Sequence, residues 1–458
     1  MKSTRALCPW PLGLPLLRAI KRDPIGVPRR LQKEYGDVVV MKLLSTRIYY
    51  LFRPEAARKV LVDHSREFPK EERVLRIFRS VEGENVITTE GHLWERHRQI
   101  IAPTLASKQL PAYVALMAAC ADEGIRAHLP AKAGESAVIQ VDRWTSRITM
   151  DVILRALFSY QGSREEADAV SDASSALTRQ MMRQAFWPFV PPEWLPYPGR
   201  SEKWKSLAII RNLIIRQIEE RRRCAATGRQ VGCDILDLLL AAHEDGARAR
   251  GVGLSDEEIV DNCVGLFGAG RITSATALTW WIGLMAIHRE IAQRVREEVR
   301  GAQAACKSDG EVASLPFLSA TIKEALRLYP PSTATFTRKA LQDIEVDGEV
   351  IKKDSVVAIP IWVFHRDERW YPDPEEYRPE RFMPGAPALP RRAFMPFGAG
   401  PHFCLGQHFA MMEIALIGAR LISDFELSLD ARTTLPEPIV DLVFRPREGL
   451  GVQFVRCH

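Results

Sequence analysis

The chain has 458 residues, of which 46% are hydrophobic and 26% are charged. This ordinary globular balance excludes a disordered chain, a collagen and a coiled-coil rod, and the length is sufficient for a large core and an enclosed pocket. Lysine and arginine number 63 against 57 aspartate and glutamate, which leaves a net charge of +6. Because acidic and basic residues are intermixed along the chain, the charge does not indicate a nucleic-acid-binding protein.

The cysteines and the amino terminus indicate a cytoplasmic protein. Eight cysteines are scattered along the chain without a CxxC pair, a pattern typical of reduced thiols in the cytosol. Residues 6–17 are apolar but are interrupted by Pro9, Pro11 and Pro15, so they are too short and too broken for a membrane span or a secretory signal. We therefore expect residues 1–20 to form a proline-rich strap, with no transmembrane segment.

The first half of the chain starts with extended segments and then becomes helical. Residues 37–44 and 47–52 are rich in β-branched and aromatic residues and predict a hairpin, and residues 54–63 predict the start of a helix. Most segments between residues 91 and 240 repeat at a helical period. The exception is residues 187–199, whose prolines and aromatic residues predict an irregular apolar loop.

The second half centres on one long helix. Ser255 and Glu258 match a capping box and precede a long apolar run, which predicts a helix through the middle of the protein. A further helix is predicted over residues 318–328 and stops at Pro330 and Pro331. Short strands are predicted over residues 333–363, with a turn at Asp347 and Gly348. An irregular stretch over residues 365–403 follows, and a final helix is predicted from just after Cys404 toward Ser423. Residues 1–458 are therefore expected to form a single, mainly α domain with a minor β part.

The strongest chemical signal is the sequence FGAGPHFCLG at residues 397–406. Cys404 lies in a glycine-rich loop directly before a predicted helix, whose N-terminal dipole lowers the pKa of a thiol and favours the metal-binding thiolate. Gly398, Gly400 and Gly406 allow positive-φ turns and a close approach of the backbone to a flat ligand. From the residues alone, Cys404 is a metal ligand, a nucleophile or an inert core thiol.

The pattern FxxGxxxCxG resembles the heme-binding loop of the cytochrome P450 family, and the resemblance covers residues 11–449. It implies the cytochrome P450 fold, with heme b between a long central helix and the cysteine loop with the final helix, and with Cys404 as the axial thiolate ligand of the iron. Glu324 and Arg327 in KEALR resemble the family's ExxR pair, and Arg381 in PERF is similar to its third member. Buried charges of this kind persist only when they are paired with one another.

The resemblance also implies the residues that surround the heme. Trp94 and Arg98, four residues apart on a predicted helix, resemble the family's WxxxR motif and are expected to bind the propionates. Arg338 and His402 occupy positions where relatives carry further propionate-binding residues. The expected cofactor-binding set is completed by three residues of the cysteine loop: Phe397, Gly398 and Gly406.

Residues 269–274, AGRITS, resemble the family's AGx(D/E)T(T/S) segment on the oxygen side of the heme. The resemblance assigns catalysis to Ala269, Gly270, Thr273 and Ser274. Small residues there leave room for dioxygen, and the Thr273 hydroxyl is expected to deliver protons.

The chain departs from this pattern at Ile272, where relatives carry an acid that relays protons. Either another acid or a water chain through Thr273 and Ser274 must serve instead. Arg271 is expected to face elsewhere on the helix, so it does not replace a carboxylate.

The implied function is a heme-thiolate monooxygenase that inserts one oxygen atom of O2 into a hydrophobic small organic substrate. The substrate is expected to contact mostly apolar residues within four segments: 74–78, 186–194, 266–267 and 333–336.

Electrons are expected from a ferredoxin or flavodoxin with its reductase, because the sequence contains no GxGxxG nucleotide fingerprint. The partner is expected to dock on a face that includes Arg96, Arg391 and Arg392, and the protein is expected to be a monomer. The loss of the acid at Ile272 leaves a peroxygenase or an isomerase as the alternative enzyme. A non-enzymatic heme sensor is the third class.

Overall fold

The computed structural model describes residues 14–43, 45–160, 162–185, 187, 190–228, 234–248, 253–305, 311, 315–390, 392–430 and 434–457. Over these residues the chain is mainly helical with small sheets, which confirms the predicted class. The chain forms two compact units. One contains the described residues up to Leu75 together with Lys323–Cys404, and the other contains Arg76–Ile322 and the described residues from Leu405 onward.

The helices and strands are numbered in chain order. The helices are α1 (Leu14–Arg22), α2 (Gly26–Tyr35), α3 (Pro54–Arg58), α4 (Glu72–Glu82), α5 (Gly91–Ile101), α6 (Leu110–His128), α7 (Val141–Phe158), α8 (Arg164–Ala185), α9 (Arg200–Ala226), α10 (Ile235–Arg248), α11 (Asp256–Ile287), α12 (Arg289–Ala305), α13 (Pro316–Leu328), α14 (Ile361–Phe364) and α15 (Gln407–Asp424). The strands are β1 (Val38–Leu43), β2 (Thr46–Leu51), β3 (Ser136–Gln140), β4 (Arg338–Lys339), β5 (Ile344–Val346), β6 (Glu349–Ile351), β7 (Val356–Ala358), β8 (Phe425–Leu429), β9 (Pro438–Asp441), β10 (Val443–Pro446) and β11 (Gly451–Arg456).

The first unit is built on a sheet of order β1-β2-β7-β4. Strands β1 and β2 form the predicted hairpin, and β7 pairs parallel to β2. Apolar side chains of the sheet and of α3 pack into one buried cluster that also takes in Met395 and Ala399. The segment that leads to the cysteine is therefore fixed on the core of this unit, because burial of apolar side chains is the main stabilising term.

The second unit is organised around α11, which is 32 residues long. The predicted capping box is present, since the Ser255 hydroxyl accepts from the Glu258 N–H at 3.2 Å and Glu258 Oε2 accepts from the Ser255 N–H at 2.7 Å. Helix α7 packs along α11, and the hydroxyl groups of Thr145 and Thr279 lie 2.7 Å apart between the two helices. Most of α11 is buried, which explains its apolar sequence.

Two parts of the architecture differ from the sequence prediction. A sheet of order β3-β11-β8 was not predicted. Its central strand pairs with residues more than 300 positions earlier in the chain, and such long-range pairing leaves little local pattern. The described part of the predicted strap is helical, because α1 begins at Leu14 and carries Pro15 in its first turn, where proline is tolerated. Residues 1–13 lie outside the described residues.

In the part of the chain that the structure describes, no helix is both long and apolar enough to cross a bilayer.

Candidate active site

Cys404 lies at the end of the glycine-rich loop and is exposed. Its backbone N–H donates to the carbonyl oxygen of Phe397 at 3.0 Å, and the N–H of Phe403 donates to that of Gly400 at 3.1 Å, so the loop folds back in two turns. Helix α15 begins at Gln407, shortly after the cysteine, as predicted. The thiol therefore precedes the positive end of a helix dipole, as predicted from the sequence.

The other described cysteines have a different environment. Cys120, Cys224 and Cys263 are buried, and Cys457 is half-buried. Burial raises the pKa of Cys120 to about 12 and raises that of Cys263 further, so these groups stay protonated and inert. Among the described cysteines, Cys404 is the exposed one, which fits a ligand rather than a core thiol.

The glycines of the loop have separate roles. Gly398 and Gly400 have φ angles of 75° and 73°, and a Cβ on Gly400 would lie 1.8 Å from the carbonyl oxygen of Leu61. A side chain at position 400 is therefore excluded. The prediction of a positive φ at Gly406 is wrong, because Gly406 has a φ of −84° and is the N-cap residue of α15.

Open space lies beside the backbone at both ends of the loop. An ideal Cβ on Gly398 or Gly406 would have no neighbouring atom within 4 Å. The backbone at each of these glycines is therefore open to a close approach by a flat ligand. The donor set and the open space fit a heme with an axial thiolate.

Glu324, Arg327 and Arg381 form the predicted network. Arg327 donates from Nε and Nη2 to the two oxygens of Glu324, both at 2.7 Å, and both side chains are 0% exposed. Arg381 Nε donates to Glu324 Oε1 at 3.3 Å. This bidentate geometry with a second arginine satisfies a carboxylate that is completely removed from water.

The same network fixes the irregular segment that precedes the cysteine loop. Arg327 also donates to the carbonyl oxygens of His365, Pro374 and Glu376 at 2.7–3.0 Å. His365 Nε2 in turn accepts from the backbone N–H of Met395 at 3.1 Å. Burial, with help from nearby arginines, lowers the pKa of His365 well below its usual range, so the ring stays neutral and able to accept. No sequence motif identified His365.

The four predicted propionate contacts lie on α5, on β4 and in the cysteine loop. Trp94 and Arg98 lie on α5, where the Arg98 guanidinium stacks 5.6 Å from the Trp94 ring centroid, so they share a face as predicted. Arg338 is a buried residue of β4 whose backbone pairs with Val357. His402 is half-buried in the cysteine loop.

Arg96 does not provide the open docking cation that the sequence suggested. Its guanidinium is paired with Glu258 of the capping box, and the His97 ring contacts the same carboxylate at 3.2 Å. Arg96 therefore stabilises the start of α11. Arg392 is exposed, and Arg391 lies outside the described residues.

On α11, Ala269 is exposed and Thr273 is partly exposed, although most of the helix is buried. The Thr273 hydroxyl donates to the carbonyl oxygen of Ala269 at 2.7 Å, which is the back-bonding that threonine often makes in helices. Gly270 has a packing role, because a Cβ there would lie 2.8 Å from Ile153 of α7. Ala269 is therefore the exposed residue of the AGRITS segment, and Gly270, Ile272 and Thr273 are partly exposed.

Arg271 faces away from Thr273, as predicted. It is 3% exposed, and it donates to the hydroxyl oxygens of Ser146 on α7 and Ser174 on α8 at 3.1 and 2.8 Å. Burial lowers the pKa of Arg271 to about 10, so the group remains a cation at neutral pH. It joins three helices and does not replace the acid missing at Ile272.

Glu413 on α15 is a site residue that the sequence reasoning missed. It is 1% exposed, and burial raises the pKa of its carboxyl group to about 8, although a hydrogen bond with Ser274 lowers the pKa in part. Glu413 is therefore a largely neutral acid in contact with the AGRITS segment. The available signal was a single acidic residue in the otherwise apolar stretch of residues 409–419.

The comparisons with known proteins agree with this site. The Cytochrome P450 family model matches residues 6–453. Cytochrome P450 734A6 of Oryza sativa subsp. japonica is 30% identical over 92% of this chain and 80% of its own length. A cytokinin hydroxylase of Arabidopsis thaliana is 32% identical, over 81% of this chain and 72% of its own.

Two further relatives are bacterial. Cyclooctat-9-en-7-ol 5-monooxygenase of Streptomyces melanosporofaciens is 29% identical over 93% of this chain and 92% of its own length. The solved structure of cyanobacterial CYP120A1 with bound retinoic acid matches with a TM-score of 0.79 at 23% identity, over 95% of both chains, which shows the shared fold.

The chain therefore belongs to the cytochrome P450 family and is an oxidoreductase of the monooxygenase type. Its cofactor is heme, whose iron is bound by a cysteine thiolate. The enzyme uses dioxygen, an organic substrate and a redox partner.

Proposed function

We propose that the protein is a heme-thiolate monooxygenase of hydrophobic small molecules in which Cys404 is the iron ligand. The observation that carries the proposal is the position of this thiol. It is exposed at the end of a folded loop just before α15, and a buried network holds the preceding segment.

Four residues are proposed to bind the heme propionates: Trp94, Arg98, Arg338 and His402. An indole N–H, two guanidinium groups and an imidazole suit carboxylates, because charge-assisted hydrogen bonds are the strong ones. Phe397, Gly398 and Gly406 are proposed to form the surface on which the ring rests. The bound heme supplies the reductive activation of dioxygen and the transfer of one oxygen atom to the substrate.

Proton delivery is proposed to use Glu413 in place of the acid missing at Ile272. The Glu413 carboxyl group contacts Ser274, which is adjacent to Thr273, and its pKa of about 8 keeps it largely protonated at neutral pH. A general acid works best when its pKa lies near the working pH. We propose that a proton passes from Glu413 to Ser274 and then to the Thr273 hydroxyl. The exposed Ala269 is proposed to leave room for dioxygen, while Gly270 lets α7 pack against α11.

The substrate is proposed to be a hydrophobic organic molecule. Leu266, which is half-buried, and Ala269, which is exposed, give α11 an accessible apolar surface. Phe267 is 2% exposed and belongs to the core rather than to this surface. Of the other predicted contacts, residues 186, 188 and 189 lie outside the described residues.

The redox partner is proposed to be a ferredoxin or flavodoxin with its reductase, docking near the exposed Arg392. We also propose that the enzyme is a cytoplasmic monomer. An electron-transfer protein with an acidic surface would be attracted to a cationic face of the enzyme.

The experiment supplies electrons to the heme-loaded protein from a reduced ferredoxin system and measures oxygen uptake and oxygenated product. We expect product formation that depends on dioxygen, on the ferredoxin and on a hydrophobic substrate. Turnover with hydrogen peroxide alone that exceeds the ferredoxin-driven rate would instead favour the peroxygenase. Product isomeric with the substrate, without oxygen uptake, would favour the isomerase.

A further inference from the structure

Glu82 is a second buried acid, and the proposed mechanism does not use it. It is the last residue of α4, it is 9% exposed, and its Oε2 atom has no hydrogen-bond partner among the described residues. The Asn85 amide donates to the backbone carbonyl oxygen of Glu82 at 3.1 Å, and it lowers the pKa of the carboxyl group in part. A buried carboxyl oxygen without a hydrogen-bond partner lowers the stability of the fold. Its presence is explained if a ligand supplies the missing hydrogen bond.

The loop that follows Glu82 is anchored on α11. The N–H of Glu84 donates to Asp261 Oδ2 at 2.8 Å, and the N–H of Val86 donates to Asn262 Oδ1 at 2.9 Å. These two side chains lie on the first turns of α11. The position of Glu82 relative to α11 is therefore fixed by hydrogen bonds on both sides of Asn85.

Two glycines of α11 allow the loop to lie close. A Cβ on Gly265 would come within 2.7 Å of Asn85 Nδ2, and a Cβ on Gly268 would lie 3.7 Å from Glu82 Oε1. Gly265, Ala269 and Thr273 are spaced four residues apart and follow one face of the helix. Asn85 therefore lies against the Gly265 turn of this face, and Glu82 lies beside Gly268, the residue directly before Ala269.

We propose that Glu82 is the polar contact of the substrate site and holds one oxygen atom of an otherwise apolar substrate. The inference rests on the proposed function, because it assumes that the Ala269 and Thr273 face meets the substrate. Phe78, one helical turn before Glu82 on α4, belongs to a segment already expected to border the substrate. A substrate with a ketone or hydroxyl oxygen would satisfy Oε2, whereas a hydrocarbon would leave it without a partner.

The electrostatic surroundings make Glu82 a hydrogen-bond donor at neutral pH. Burial raises the pKa of its carboxyl group to about 8, and the Asn85 hydrogen bond lowers it in part. The nearby charged side chains form ion pairs with one another. Asp261 accepts from Arg211 at 2.5 Å, and Arg79 lies 3.8 Å from Glu84. A mostly protonated Glu82 therefore donates to an acceptor oxygen.

The experiment measures the dissociation constants of three probes with one carbon skeleton: cyclododecane, cyclododecanone and cyclododecanol. Binding to the heme-loaded protein is followed by calorimetric titration and by the change in the heme absorption spectrum. We expect the preference for the ketone over the hydrocarbon to be about tenfold greater in the wild type than in Glu82→Leu, which is the size of a buried hydrogen bond. Glu82→Leu should melt no lower than the wild type, because it removes a buried oxygen that has no partner.

The matched control is Glu84→Gln, which removes an exposed carboxylate from the same loop and should leave the preference unchanged. A second arm raises the pH from about 7 to about 9, where Glu82 ionises and loses its proton. The ketone should then bind as weakly as it does to Glu82→Leu. The alcohol should keep its advantage, because its hydroxyl can donate to a carboxylate.

An equal preference for the ketone over the hydrocarbon in the wild type and in Glu82→Leu would overturn the inference. If Glu82→Leu also melts at a lower temperature, Glu82 has a structural role instead. If the ferrous wild-type protein lacks the carbon monoxide spectrum of a heme-thiolate protein, the proposed function fails. If none of the probes binds, the hydrophobic substrate class is contradicted, and the inference that depends on it falls too. If the carbon monoxide spectrum is normal and the preference for the ketone is the same in the wild type and in Glu82→Leu, only the role of Glu82 is contradicted, and the proposed function stands.

Discussion

Two carboxylic acids, Glu82 and Glu413, are buried next to α11. For each of them, burial raises the pKa to about 8 and one neutral side chain lowers it in part. Because both groups are largely protonated at neutral pH, they are positioned as proton donors rather than as charges. The sequence was sufficient to predict that Trp94 and Arg98 share a face, because residues four apart on a helix are neighbours. Glu82 lies beside Gly268 and Glu413 contacts Ser274. Because these neighbours are distant in the chain, both placements became visible only in the structure.

Replacement of Glu413 by glutamine tests the proton route at this scale. The variant keeps a hydrogen-bonding side chain beside Ser274 but cannot release a proton. We expect ferredoxin-driven product formation to fall about 100-fold, the lower end of general acid contributions, while release of hydrogen peroxide rises relative to product. The measurements are product, peroxide and oxygen uptake.

Glu426→Gln is the control, because Glu426 is an exposed acid on β8. It should leave the ratio of product to peroxide unchanged. If Glu413→Gln retains the wild-type ratio, the proton reaches Thr273 by another route.

At the scale of elements, α13 stabilises a long segment that has almost no regular structure of its own. Arg327 bonds to Glu324 and to three carbonyl oxygens between residues 365 and 376. The irregular character of this segment was predicted from its prolines, and the network was predicted from its motifs. The sheet of β3, β11 and β8 was not predicted, because its central strand β11 pairs with β3, which lies more than 300 residues earlier in the chain.

Arg327→Lys tests how much the network contributes. Lysine cannot bond both oxygens of Glu324 and all three carbonyl groups, so buried acceptors would be left without partners. We expect the free energy of unfolding to fall by about 3–5 kcal/mol, as for other broken buried pairs. The readouts are the thermal midpoint of the heme-loaded protein and its heme content.

Arg378→Lys is the matched control, since Arg378 pairs with Asp373 and Glu376 on the surface of the same segment. It should change the midpoint little. Similar midpoints for the two variants would show that the buried network does not stabilise the fold.

For the whole molecule, the fold is shared more widely than the sequence. The match to cyanobacterial CYP120A1 covers 95% of the chain at only 23% identity, because apolar cores tolerate many substitutions that keep volume and pattern. The heme-binding motifs could be predicted because the cofactor demands particular residue types at fixed spacing. The substrate contacts depend on side chains that differ between relatives, so fold and family do not determine them.

The most direct measurement is the carbon monoxide difference spectrum of the reduced wild-type protein and of Cys404→Ser. We expect a heme-thiolate band in the wild type and its loss in the variant, because serine does not supply a thiolate. Cys120→Ser, at a buried cysteine, should keep the band if it binds heme. A Cys404→Ser protein that retains the wild-type band would contradict the account.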